Sequence, residues 1–294
     1  ITATNATGST TQTFTLTVAA ALAAPAFTLS SSSETRTVNT AATGFTISST
    51  GGAIASFAIS ATPAGMSFST STGALTGTPT TVAGATTYTI TATNATGSTT
   101  QTFTLTVSPG AATKAMMTTQ PTGAVNGVAF TTQPVVRVTD SGDNTVTSFT
   151  SNVVASIASG TGTLSGTTVA AVAGVATFTN LVITGTAGNF TLTFTPASLT
   201  AVTSSSFALA AGAATKVAIT RASVGTTDNV AFTTQPQITI QDASGNTVSS
   251  SAVVTATISG GSGGTIGTLI GSTTATASSG VATFTGLGID GTPG

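Results

Sequence analysis

The sequence predicts an all-β chain of tandem two-layer sandwiches, on three observations. Short runs rich in Val, Thr, Ile and Phe alternate apolar with polar residues, the period of a strand with one buried and one wet face. Gly, Pro, Asn, Asp and Ser cluster between these runs as turn signals. Blocks of sequence return along the chain, so the fold is assembled from repeated units, each with its own core.

The opening stretch Ile1–Val18, ITATNATGSTTQTFTLTV, recurs unchanged at Ile90–Val107. In the second occurrence Phe103, Leu105 and Val107 fall on one face and Thr102, Thr104 and Thr106 on the other. Tyr88, Ile90 and Ala92 alternate in the same way, and NATGS between the two runs reads as a hairpin tip. Asn94 and Gly97 suit positive φ there. Upstream, FTLS, GFTISS, ASFAIS, GMSFST and GALTG read as further short strands. Residues 26–107 therefore form one expected domain, and 1–18 the last hairpin of a preceding one. AAALAAPA at 19–26 lacks a basic start and a long apolar centre; it reads as a linker, not a signal peptide.

A second repeat begins at Ala111. GVAFTTQPVVRVTDSGDNTV at 127–146 is echoed by NVAFTTQPQITIQDASGNTV at 229–248, and GVATFTNLVITGTAG at 174–188 by GVATFTGLGIDGTPG at 280–294. The expected domains are 111–210 and 213–294, the latter lacking the alternating strand NFTLTFTP that follows in the first copy. An uncompleted sandwich leaves unpaired backbone groups at a sheet edge, so strand exchange with another molecule at the chain ends is a possible partner interaction.

The stretch Pro63–Val107 resembles the immunoglobulin-like repeat of bacterial surface proteins, through Gly65, Phe68, Gly73, Leu75, Gly77, Pro79, Tyr88, Asn94 and Gly97. The second repeat is similar, more loosely, to bacterial immunoglobulin-like domains of the invasin and intimin type, through VRVTDSGDNTV, ITIQDASGNTV and GVATFT. The resemblance implies tandem immunoglobulin-like β-sandwiches in an extended rod, as in extracellular stalks of adhesins and surface fibres. It identifies no receptor.

Composition narrows the function. Charged residues make up 4% of the chain, against about a quarter in an average soluble protein. The five Lys and Arg are scattered, so neither the cation cluster of a nucleic-acid binder nor a polybasic membrane contact is expected, and no apolar run is long enough to span a bilayer. With no His and no Cys, imidazole bases, thiolate nucleophiles and the metal sites built on them are excluded. No phosphate-binding glycine loop occurs. The chain is expected to be non-catalytic and to need no cofactor.

Few polar residues invite a specific role. Asp140, Asp143 and Asp242, in TDSGDN and QDASGN, are weak calcium candidates, because Asp-rich turns supply oxygen ligands; Asp and Asn are equally ordinary turn formers. Asn5, Asn94 and Asn189 head N-x-Ser/Thr sequons and are candidate glycosylation sites. The wet faces are mostly Thr and Ser and repel one another weakly, so self-association with neighbouring copies in a fibre or matrix is expected. The sequence reads as a structural segment of an extracellular, cell-surface or secreted repetitive protein: an adhesin stalk or filament. The alternative is the non-catalytic stalk, or a carbohydrate-binding accessory region, of a secreted hydrolase.

Overall fold

The computed structural model describes residues 1–225, 227–260 and 267–291, so residues 226, 261–266 and 292–294 of the expected 213–294 copy lie outside the described residues. Every regular element among the described residues is a strand. The chain separates into two compact units, Ile1–Gly110 and Ala111–Gly294.

In the first unit a four-stranded sheet runs in the order Ser33–Thr37, Gly97–Ser108, Ala83–Asn94, Ser56–Ile59. Two short pairs, Phe27–Leu29 with Ile47–Ser49 and Met66–Phe68 with Leu75–Gly77, complete the sandwich. Phe27, Met66 and Leu75 from these pairs join Phe57, Ile90, Phe103 and Leu105 from the sheet in a single buried cluster. Phe103, Leu105 and Val107 are buried while Thr104 and Thr106 stay half-buried, as strand alternation dictates. Hydroxyls on the outer face bond across strands, as between Thr87 and Thr104 at 3.1 Å.

Two features depart from the sequence reading. Ser33–Thr37, SETRT, is a strand that no hydrophobic alternation announces; it pairs parallel with Thr104–Ser108. Glu34 there accepts the backbone N–H groups of Thr43 and Gly44, both at 2.8 Å, and pairs with Arg36. Desolvation opposes its charge, but those two N–H donors and Arg36 hold the carboxyl below its usual value. Asn94 keeps a negative φ, because its side chain, not its backbone, shapes the hairpin.

The duplicated stretch shows what context contributes. In both copies the hairpin register is the same: Thr2 faces Thr11 as Thr91 faces Thr100. Beyond it, Phe103 lies opposite Tyr88 and is fully buried, whereas Phe14 is 69% exposed. Identical letters give a core strand only where a sheet receives them.

In the second unit, each copy of the repeat has its own core. The first sets Lys114–Thr119, Val135–Thr139 and Val175–Thr177 against a sheet centred on Asn152–Ser159 and Gly188–Pro196. Val136, Phe178, Phe190, Leu192 and Phe194 are buried between them, with the Phe178 and Phe194 rings 5.3 Å apart. The second copy repeats the first layer as Lys216–Arg221, Gln237–Gln241 and Val281–Thr283. Its core is smaller, built on Ile240, Ala282, Phe284 and Leu287. Val217 and Ile219 are exposed there. The recurring AFTTQP has a local reason. The Gln133 side chain donates to the carbonyls of Phe130 and Leu181 and accepts the Leu181 N–H; Gln235 does the same with Phe232 and Leu287.

Phe103→Ala is expected to destabilise the first unit by about 3–5 kcal/mol, whereas Phe14→Ala should stay within about 0.5 kcal/mol. Denaturant unfolding of the two variants checks this, and equal effects would contradict the burial difference.

Candidate functional site at the linkers

Side chains of Asn and Asp at hairpin tips grip the linkers that lead into the sandwiches. In the first unit, Asn94 sits at the tip joining its two long strands. Its Oδ1 accepts the N–H and hydroxyl of Thr96, at 2.9 and 2.6 Å, which tightens the turn. Its Nδ2 donates to the carbonyls of Ala23 and Ala53, at 2.9 and 3.1 Å, and the Thr96 hydroxyl also donates to Ala23. The linker therefore runs bonded along the sandwich, closing onto Gly52, whose N–H donates to Ala24. Asn5 has the same bonds from Thr7 but is exposed.

In the second unit, the turn Asp242–Asn246 lies between the two copies of the repeat. It forms because Asp242 Oδ1 accepts the N–H groups of Ser244 and Asn246, both at 2.9 Å, and Gly245 takes a φ of 87°, open to Gly at little cost. The other carboxylate oxygen, Oδ2, accepts three donors from three places. These are Asn246 Nδ2 at 2.9 Å, the N–H of Gly212 in the preceding linker at 2.9 Å, and Nδ2 of Asn126 in the first copy at 2.8 Å.

Asn126 and Asn246 complete the joint. Asn126 Nδ2 also donates to the Ser244 hydroxyl at 2.9 Å, and its Oδ1 accepts the Gly185 N–H at 2.8 Å. Asn246 Oδ1 accepts the Ala187 N–H at 2.7 Å while its Nδ2 donates to the Gly185 carbonyl at 2.9 Å. Gly212 has to be glycine: a Cβ there would stand 2.5 Å from the Asn126 carbonyl oxygen. Asp242, Asn126 and Asn246 are all buried. Burial alone disfavours the charged form of Asp242, but the bonds from Asn246, Gly212 and Asn126 outweigh it and hold the carboxyl well below the usual carboxylate range.

The three calcium candidates are dispersed over two turns. Asp140 repeats the turn geometry of Asp242: its Oδ1 accepts the N–H groups of Gly142 and Asn144, at 2.9 and 3.0 Å. Asp143 occupies the left-handed slot that Gly245 fills in the other copy, with φ 65°, and pairs with Lys114 at 2.7 Å. These carboxylates face N–H and ammonium donors. Among the described residues, no three His, Cys, Asp or Glu side chains gather into a group able to hold a metal ion. Of the sequon residues, Asn94 is buried with its nitrogen donating twice, Asn5 is exposed, and Asn189 lies exposed opposite Ala208 in a strand. The partnership of Asn126 with Asp242 joins residues of two different copies, and no local pattern marks it. The one sequence signal was Asp228 in the place of Asn126, just before the shared VAFTTQP.

The cores and strand layers define a chain of β-sandwich modules. Residues 21–108 match the family described as "Putative Ig domain". No curated protein matches the chain by sequence. Among solved structures, the chain is similar to the Escherichia coli adhesin FdeC, at 16% identity and TM-score 0.47, over 90% of this chain and 88% of that one. It is also similar to the D00-D0 domain of intimin, at 15% identity and TM-score 0.35, over 63% and 98% of the two chains. A third similar structure is the titin fragment I67-I69, at 14% identity and TM-score 0.31, over 90% and 88%.

Asp242 also fixes a pH response. Its contribution is fully present above the unfolded-state pKa of about 3.9 and is lost as pH falls through the lower folded value. The protection factor of the Gly212 amide is therefore expected to stay flat from neutrality down to about pH 4 and to fall only below it. Hydrogen exchange read by NMR checks this; loss of protection already near neutral pH would contradict it.

Proposed function

We propose that the chain is a structural, non-catalytic segment of an extracellular repetitive surface, adhesin or filament protein, acting as a rod or stalk whose modules are held in fixed relation by their joints. The observation that carries this reading is the Asp242 carboxylate. One buried group accepts five donors drawn from its own turn, the linker and the preceding module. A flexible tether between independent domains needs no such investment, because inter-domain motion is the default unless the interface opposes it. The match of residues 21–108 to an immunoglobulin-like family and the invasin-type motifs of the two later copies support the same reading. The hydroxyl-covered faces support lateral packing of neighbouring copies, and the near absence of charge leaves little to oppose it.

The joint is tested by NMR relaxation on the full chain. The two copies in residues 111–291 should tumble as one body, and Asn126→Ala, which removes the donor to Asp242 and Ser244, should let them tumble separately. Independent tumbling in the unaltered chain would overturn the reading. Lateral packing is tested by sedimentation over a range of concentrations, where association should appear and change little with salt. A monomer at every concentration would remove that part of the proposal.

A further inference from the structure

The second copy carries its own version of the surface that receives the Asp242 turn, altered at the residue that meets the turn's carboxylate and at Pro293, which stands in the place of Ala187 and has no N–H to donate. Aligning GVAFTTQP with NVAFTTQP places Asp228 where the first copy has Asn126, and aligning the two GVATFT stretches places Gly291 where it has Gly185. The geometry follows the alignment: the Gly291 N–H donates to Asp228 Oδ1 at 2.8 Å, as the Gly185 N–H donates to Asn126 Oδ1 at 2.8 Å. The difference lies on the other atom. Asn126 turns an NH2 toward the incoming turn; Asp228 presents a second carboxylate oxygen.

An Asp-headed turn seated on Asp228 as Asp242 is seated on Asn126 would bring two carboxylates within about 3 Å, where each charge repels the other. The incoming Asp cannot simply be exchanged for Asn. In the observed joint it holds its own turn through one oxygen and the linker amide and Asn246 through the other, and an NH2 would face those donors. The compensating charge has to come from the turn's other contact with this position, the place of Ser244, which is 2.9 Å from Asn126 Nδ2 and exposed on its other side. That place already varies between the copies, being Gly142 in the first.

We infer that the residue at positions 126 and 228 selects the neighbour that each module accepts. Asn126 admits an Asp-headed turn with a neutral third residue. Asp228 makes its end of the second copy a docking surface for a module whose Asp-headed turn carries Lys or Arg at that third position. This rests on the joint reading above and names the partner for a joint of the same kind.

The test moves the Asp228 chemistry into the joint already present, in the full chain, with protection of the Gly185, Ala187 and Gly212 amides as readout. Asn126→Ala loses a donor only. Asn126→Asp adds repulsion and should lower protection by about a further tenfold at neutral pH. Ser244→Lys combined with Asn126→Asp should restore protection to within about threefold of the unaltered chain, and should not rescue Asn126→Ala. The amides of Leu192 and Ile240, in the two cores, report on folding. If Asn126→Asp is no worse than Asn126→Ala, or Ser244→Lys fails to rescue it, the inference is overturned. Should Asn126→Asp unfold a module, Ser244→Lys must return the folded spectrum, and failure to do so overturns it equally. If Asn126→Ala itself leaves protection unchanged, the joint reading fails instead.

Discussion

The constraint on which this structure depends is the need to satisfy backbone polar groups with almost no charged side chains. A buried N–H or C=O without a partner costs about 1–3 kcal/mol, and strand pairing settles most of them. What remains lies at turns, linkers and the places where one strand layer passes to the next. There the chain uses a short list of side chains that carry both donor and acceptor, or two acceptor oxygens: Asn94, Asn126, Gln133, Gln235, Asp242 and Asn246. Each does for the backbone what a neighbouring strand would otherwise do.

The two repeat families reach the same end by opposite chemistry. Asn94 grips its linker as a donor, pointing an amide nitrogen at the carbonyl of Ala23. Asp242 grips its linker as an acceptor, taking the N–H of Gly212. In both, the gripping residue belongs to the module that the linker enters, and the same side chain also shapes its own turn. Linker order and module folding are therefore coupled: the grip exists only once the turn has formed. With no disulfide available, since the chain has no cysteine, these polar contacts are what tie a linker to its module.

Much of the fold was legible because strand alternation and internal repetition are strong signals. Phe103, Leu105 and Val107 announced a buried face, and the repeated GVATFT and AFTTQP blocks announced corresponding strands. Ser33–Thr37 was not legible, because its Glu and Arg serve the neighbouring loop and leave no apolar period to read. The burial difference between Phe14 and Phe103 could not be read at all, since the letters are identical and only the receiving sheet differs. At the candidate site, Asp242 was visible as a turn former with oxygen ligands. Its partner Asn126 lies 116 positions away, and no periodicity connects a loop in one copy to a turn in the next. Asp143 was legible as a turn residue or weak calcium candidate; its left-handed backbone, in the slot that Gly245 fills in the second copy, was not.

The joint has a direction. Its receiving surface belongs to the upstream copy and its inserting turn to the downstream one, so an array built this way has distinguishable head and tail ends. Copying the first repeat in frame adds a boundary whose receiving side, Asn126, and Asp-headed turn already exist.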